Sequence, residues 1–260
     1  MIKKCSIKLK KYFLRGIYLL MIKFIILKIL KLFDDYQQNK IFKFLKNKGY
    51  YSFNVVFDIG AHRGETIKSF INFFKIKKIY SFEASEINFE YLKENTNNLK
   101  TKKNVEIFLF KNALGKENKK ITIKHLKESS SSTINDINTN SRYFKKKSLL
   151  LYRNKNTNFF VEKEIEQISL DYFIIKNKIS KIDFLKIDTE GYEFNVLLGL
   201  QKEFKKVSVI MFEHHYDNMI IKNYKFRDIN QLLKQNNFYQ IYKYKMSFRK
   251  TFEYIYVQKK

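Results

Sequence analysis

The sequence predicts an α/β fold of the doubly wound, Rossmann-like kind, with a mostly parallel sheet, an antiparallel C-terminal edge and a β-hairpin insertion. Three observations predict it. From Asn54 onward, short β-branched or aromatic runs alternate with amphipathic stretches, the pattern that yields parallel strands covered by helices on both faces. The first run ends in an acid and a glycine turn that opens a helix. The rhythm breaks once, between Lys116 and Gln167, and then resumes.

Taken in order, Asn54 to Asp58 reads as the first strand, Gly64 to Lys75 as a helix, and Lys78 to Glu83 as the second strand. Glu86 to Asn98 follows as the second helix and Val105 to Phe110 as the third strand. Within residues 116–167, the alternating runs Ile121 to His125 and Phe159 to Ile168 flank a Ser/Asn-rich stretch, Ser129 to Ser141. That is a β-hairpin insertion whose polar middle serves as a plain linker or as a lid beside a ligand crevice. The doubly wound pattern returns with a strand from Ile182 to Asp188, a helix after Gly191, a strand from Val207 to Glu213 and a helix from Phe226 to Gln235. Two last strands, Tyr239 to Tyr244 and Phe252 to Val257, have no long helix between them and suit an antiparallel pair at one edge.

The 260 residues fit one α/β domain plus an extension. With 45% hydrophobic and 17% aromatic residues, the chain has enough apolar surface to fold. A net charge of +27 would ordinarily point to nucleic acid or an anionic membrane. Here the absence of Pro and Trp, the 7 Gly, and the abundance of Lys, Asn, Ile, Phe and Tyr indicate an AT-rich coding bias that raises Lys whatever the partner. Nucleic acid is disfavoured on that ground.

The excess charge is concentrated in residues 1–48, with 13 Lys/Arg against 2 Asp/Glu, which we read as a basic, apolar N-terminal helical extension preceding the α/β domain at 49–260. Residues 12–33 are strongly apolar but are interrupted by Arg15, Lys23, Lys28 and Lys31. A charge at a bilayer centre costs about 2.5–3.5 kcal/mol, so a membrane span is not expected. The segment instead suits peripheral membrane contact at an anionic leaflet, or packing as an amphipathic helix on the domain or a second subunit. No signal-peptide cleavage pattern follows it. The lone Cys5 excludes an internal disulfide and fits a reducing, cytoplasmic setting.

The strongest local signal runs from Val56 to Gly64. Gly60 allows a tight strand-to-helix turn after Asp58, and Gly64 lets backbone approach a ligand. Glu83, at the end of the second strand, is placed to accept both ribose hydroxyls of an adenosyl ligand. The turn Gly60-Ala61-His62-Arg63-Gly64 lacks the spacing that accommodates a pyrophosphate, and Asp58 would repel one while holding an ammonium. An adenosyl ligand without pyrophosphate fits better than a dinucleotide.

A second signal runs from Ile182 to Glu193, where Asp188 and Glu190 stand outside the carboxyl end of a strand, the side on which ligands bind. Glu190 and Glu193 also suit the positive end of the following helix. The third, Phe212 to Asp217, carries His214 and His215, whose rings lie on opposite sides of an extended chain, so at most one faces a pocket. A metal site has little support there, and no metal is expected.

These residues resemble the FkbM family of methyltransferases across roughly Val55 to Phe238. Three blocks carry the resemblance: Phe57 to Thr66, Ile79 to Ser85 with Asn95 later, and Phe184 to Glu193 with Leu197 to Gly199. Asn112 to Gly115, Ile168 to Asp171 and Phe212 to His214 also look like the family's pattern. The resemblance implies a class I methyltransferase fold, S-adenosylmethionine as cofactor, and methyl transfer to a hydroxyl of a sugar, glycan or polyketide. It assigns cofactor binding to Asp58, Gly60, Ala61, His62, Gly64, Glu83, Ala84, Asn112 and Ala113. For the proton of the acceptor hydroxyl, Asp188 or His214 is the expected base, with Glu190 orienting the acceptor. Two departures are small: His62 stands where the family often has Asn, and Ala84 where it often has Pro. Residues 1–48 lie outside the resemblance. Two rival readings stay open, an RNA-modifying or nucleic-acid-binding protein and a membrane-surface protein that binds cofactor without catalysis. A base-methylating Asn-Pro-Pro-Tyr motif is excluded because the chain has no Pro.

Overall fold

The computed structural model describes residues 2–126, 132–151 and 160–259, so the start of the Ser/Asn-rich stretch and Phe159 lie outside the described residues. A long helix α1 (Ile2–Asn47) leads into β1 (Ser52–Ile59), α2 (Glu65–Phe73), β2 (Lys75–Phe82), α3 (Glu86–Lys103) and β3 (Glu106–Phe110). The next part holds β4 (Ala113–Leu114), β5 (Lys119–Leu126), β6 (Ser132–Thr133), α4 (Arg142–Leu151), β7 (Phe160–Ile168) and α5 (Leu170–Lys176). The chain then forms β8 (Ile182–Ile187), α6 (Glu193–Leu198), β9 (Val207–His215), α7 (Phe226–Gln235), β10 (Phe238–Lys245) and β11 (Thr251–Gln258).

Among the described residues the main sheet has seven strands in the order β10-β11-β9-β8-β1-β2-β3. The strands from β3 to β9 pair in parallel, while β11 runs against both β9 and β10. From β1 the chain winds outward to β3, then crosses back to β8 on the other side, so β1 and β8 flank the topological switch point. A crevice opens there at the carboxyl ends of the strands. A second sheet, β4-β7-β5-β6, holds the expected insertion, with β5 antiparallel to both β7 and β6.

Each face of the main sheet is covered by helices. On one, Phe173 of α5 wedges edge-on against Phe82 and Phe110, with ring centroids 4.9 and 4.8 Å away, beside buried Val196 and Leu197 of α6 and Ile229 and Leu233 of α7. On the other, Ile67 and Phe70 of α2 and Leu92 of α3 pack with Ile41, Phe42 and Leu45 of α1. Burying an aromatic or large aliphatic side chain stabilises by roughly 1.5–3 kcal/mol, so the last turns of α1 are part of the core. Packing therefore does not change at residue 48, where the sequence reading placed the domain start. Farther from the domain, Met21, Phe24, Ile25, Ile29 and Leu32 of the same helix are exposed.

Two helices were not foreseen in the sequence. α4 directly follows the Ser/Asn-rich stretch, and the seven-residue α5 is capped by Ser169, whose hydroxyl accepts from the Tyr172 N–H at 3.2 Å. β9 also runs two residues beyond its expected end, through His215, because it stays paired with β11 as far as Thr251.

Candidate active site

Above the switch point lies a cavity of about 1260 Å³, walled by the tips of β1, β2, β8 and β9, by the insertion, by the β10–β11 turn and by α1. The β1–α2 turn forms one side. Gly60 has φ 78°, and a Cβ there would stand 1.8 Å from the Asp188 carbonyl oxygen, so the tips of β1 and β8 can meet only around a glycine. His62 also occupies the left-handed region, at φ 51°. Asn and His tolerate that region better than most side chains, which explains why His62 can stand where the family often has Asn. Asn95 secures the turn from α3, its side-chain amide donating to the Arg63 carbonyl at 2.8 Å.

Glu83, 5% exposed, faces the cavity from the tip of β2. Its Oε2 accepts the His62 N–H and its Oε1 accepts the Ser85 N–H, both at 2.8 Å. Burial pushes its carboxyl up to about 7, against the opposing pull of those two backbone donors. Gly60, His62, Ala84, Asn112 and Ala113 line the same part of the cavity. A rigidly held carboxylate with unused lone pairs, beside a glycine turn, fits the ribose of an adenosyl group.

Three expected cofactor residues sit behind this surface rather than on it. Ala61 is buried, with its N–H bonded to the Phe82 carbonyl. Gly64 caps α2 at φ 87°, and a Cβ there would meet Leu92 at 3.0 Å, so this glycine serves the α2–α3 contact. Asp58 is wholly buried and lies across the strands from Lys186, whose Nζ is 3.5 Å away. What separates it from Asp188, which shares the same ammonium, is that Asp188 lines the cavity and Asp58 does not.

The other side of the cavity is ionic. Lys186 Nζ lies 3.2 Å from Asp188 Oδ2. Burial alone would raise the Asp188 carboxyl, but Lys186 holds it below its ordinary value. His215 Nε2 is 3.1 Å from Glu213 Oε1 and 3.4 Å from Glu190 Oε2, and Nδ1 is 3.2 Å from Thr251 Oγ1. Burial alone would lower its imidazole, yet Asp217, Glu213 and Glu190 together raise it well above the usual range. Among the described residues, no group of His, Cys, Asp and Glu is arranged to hold a metal ion.

His214 is the clearest departure from expectation. The period of two along β9 sends His215 into the cavity and His214 to the opposite face, where it packs between Tyr216, Tyr224 and Phe226. Burial drives its imidazole down to about 3. At most one of the pair is expected to face the pocket, and of the two only His215, on the same face as Glu213, lines it.

The loop presenting Asp188 and Glu190 is set by residues with structural duties. Glu193 is fully buried and accepts from the N–H groups of Gly191 at 2.8 Å and Thr189 at 3.2 Å, and from the Tyr224 hydroxyl at 2.7 Å. From the insertion, Thr133 donates to the Glu190 carbonyl at 2.9 Å and Asn135 to the Gly191 carbonyl at 2.6 Å. The described part of the Ser/Asn-rich stretch is thus a fixed wall of the cavity. α1 supplies residues that the sequence did not mark for the site: Asp34, paired with Arg249 at 2.8 Å, and Gln37, which donates to Ser247 at 2.5 Å.

The strand order, the antiparallel last strand and a ligand crevice at the switch point define a Rossmann-like class I methyltransferase fold. The model of the methyltransferase FkbM domain matches residues 58–240, and the chain belongs to that family. Among solved structures, it is similar to a methyltransferase FkbM from Methylobacillus flagellatus KT, with TM-score 0.50 and 16% identity over 79% of this chain and 44% of that one. This chain thus spans less than half of that relative's length. It is also similar in fold to the magnesium protoporphyrin IX methyltransferase of Synechocystis PCC 6803, solved with bound S-adenosylmethionine, with TM-score 0.50 and 9% identity over 86% and 80% of the two chains. No curated protein matches the sequence.

Proposed function

We infer that the chain transfers the methyl group of S-adenosylmethionine to a hydroxyl oxygen of a sugar, glycan or other small molecule. One observation carries the reading: buried Glu83 and the acid–histidine cluster of Asp188, Glu190, Glu213 and His215 line opposite sides of one cavity. The adenosyl end of the cofactor lies along Gly60, His62, Glu83, Ala84, Asn112 and Ala113, with the ribose hydroxyls donating to Glu83. Asp188, kept ionised by Lys186, takes the ammonium of the methionyl end, while Asp58, Ala61 and Gly64 only shape the turn.

When bound, the cofactor supplies an electrophilic methyl on a sulfonium. The chain's own residues align the acceptor, exclude water and remove a proton. Glu190 orients the acceptor hydroxyl, and His215 in its neutral form takes the proton as the O–C bond forms and the methyl–sulfur bond breaks, its electron pair staying on sulfur as a neutral thioether. Glu213 and Asp217 hold the imidazole in place and stabilise its positive charge afterwards.

The exposed apolar side chains of α1 and the basic excess of residues 1–48 favour peripheral contact with an anionic leaflet, at the inner face of a cytoplasmic membrane. Among the described residues, no helix is long and apolar enough to cross a membrane.

Incubation with methyl-labelled S-adenosylmethionine and fractionated cell glycans, lipids and RNA tests the reading. Label is expected in carbohydrate-bearing material. Label confined to RNA would replace it with the nucleic-acid reading, and cofactor binding without label in any fraction would leave the non-catalytic one.

A further inference from the structure

The lining of the cavity carries charges of both signs. Buried within it is the acid–histidine cluster, held together by internal ion pairs. Its rim carries three exposed cations from two separate elements: Arg142 and Lys146, one turn apart on α4, and Lys250 in the β10–β11 turn. Arg249 beside Lys250 is matched by Asp34, but among the described residues Arg142, Lys146 and Lys250 have no ion pair. Both elements line the same cavity.

A second observation comes from α1. Gln37 is 1% exposed and lines the cavity, with its amide nitrogen committed to Ser247. Its Oε1 is buried and accepts no hydrogen bond. A buried acceptor without a donor is costly, and a ligand hydroxyl would supply one.

Resting on the transferase reading above, we propose that the acceptor is a sugar bearing a phosphate ester, with Gln37 Oε1 accepting from a ring hydroxyl and Arg142, Lys146 and Lys250 holding the phosphate. A single carboxylate would leave most of the three positive charges unmatched. A phosphate ester brings up to about two negative charges and several strong acceptor oxygens. The phosphate-bearing sugar comes either as a soluble nucleoside-diphosphate sugar or as a lipid-linked one, and the chemistry at the rim is shared.

Calorimetry on the full chain loaded with S-adenosylhomocysteine, titrated with glucose, glucose 1-phosphate and inorganic phosphate, reads the preference directly. Glucose 1-phosphate is expected to bind about tenfold tighter than glucose, with the advantage shrinking as salt rises. The R142A/K146A/K250A variant should bind glucose 1-phosphate no better than glucose, while Q37L should weaken both sugars by a similar factor. UDP-glucose in solution and a polyprenyl-diphosphate sugar in phosphatidylcholine vesicles form two further arms, and preferential binding of either assigns the source. Equal affinity for glucose and glucose 1-phosphate, or wild-type affinity in the triple variant, overturns the proposal. Retained S-adenosylhomocysteine binding in each variant separates these outcomes from misfolding. Failure of wild-type protein to bind S-adenosylhomocysteine would instead sink the transferase reading, and the phosphate preference would still be readable on the unloaded chain.

Discussion

The end of the cavity around Glu83 is framed by two consecutive strand tips, where Gly60, His62 and Ser85 lie next to the residues they support. The end around His215 draws on β8, β9, β11, the insertion and α1, with partners far apart in the chain. The first end is held largely by backbone N–H groups and the second by side chains of opposite charge. Backbone geometry repeats wherever a strand meets a helix through a glycine, whereas a side-chain cluster depends on every element that reaches it. The Glu83 end should therefore respond to single substitutions in affinity, and the His215 end, Asp188 apart, in rate and stability.

The largest effect is expected where α1 enters the core. Deleting residues through Asn47 removes three fully buried side chains, Ile41, Phe42 and Leu45, each contributing roughly 1.5–3 kcal/mol. That loss is comparable with a whole domain's net stability of about 5–15 kcal/mol, so circular dichroism should show no cooperative thermal transition. Deleting only residues up to Phe33 should keep the transition and cofactor binding while abolishing co-sedimentation with anionic vesicles. A stable domain lacking all of α1 would show that the helix is an accessory to the core.

How much was legible follows the same division. The strand-turn-helix from Val56 to Gly64 and the acid at Glu83 were readable because their function is encoded within a few residues. The neighbour of Asp58 across the sheet, Lys186, was not readable because strand register fixes it and not local sequence. His214 was preferred over His215 because the end of β9 depends on pairing with β11, which the strand's own residues do not specify. Gln37 and Asp34 gave no local signal, since a polar residue in a basic amphipathic helix reads as solvated until the helix is seen to roof a cavity.

Next in size, His215→Gln should lower kcat by about 10²–10⁴-fold while leaving cofactor affinity unchanged. The acids around His215 keep it protonated beyond its ordinary range, so the proton-accepting form grows as pH rises and wild-type kcat should climb above neutrality. The variant should lose that limb of the pH profile. An unaltered profile would move the proton to another acceptor.

Glu83→Gln should weaken S-adenosylmethionine binding by about 1.5–3 kcal/mol. Because burial raises Glu83 to about 7, wild-type affinity should tighten between pH 6 and 8 as the carboxylate forms, and the Gln variant should be flat. The unliganded fold carries the opposite sign. The raised carboxyl contributes stability present in full below its ordinary value of 4.5 and lost as pH rises through about 7, on the order of 3 kcal/mol. Chemical denaturation of the two proteins at pH 5 and pH 8 measures that difference.

The smallest effect should come from His214→Phe. It removes an uncharged imidazole whose Nδ1 has no hydrogen-bond partner and replaces it among aromatic rings, so stability should shift by less than about 1 kcal/mol and kcat should hold across pH 6 to 9. A large loss of rate would return this histidine to the mechanism.

α1 meets the core through Phe42, the cavity through Gln37 and the outside through Phe24, all on one continuous rod. Thermodynamic reciprocity then applies to whatever touches its two ends. If adsorption of the outer turns to a lipid surface steadies the inner turns, occupancy of the chamber must strengthen adsorption by the same factor. An enzyme so built would linger where its acceptor is plentiful and detach once that acceptor is spent, a form of local sorting that needs no separate receptor.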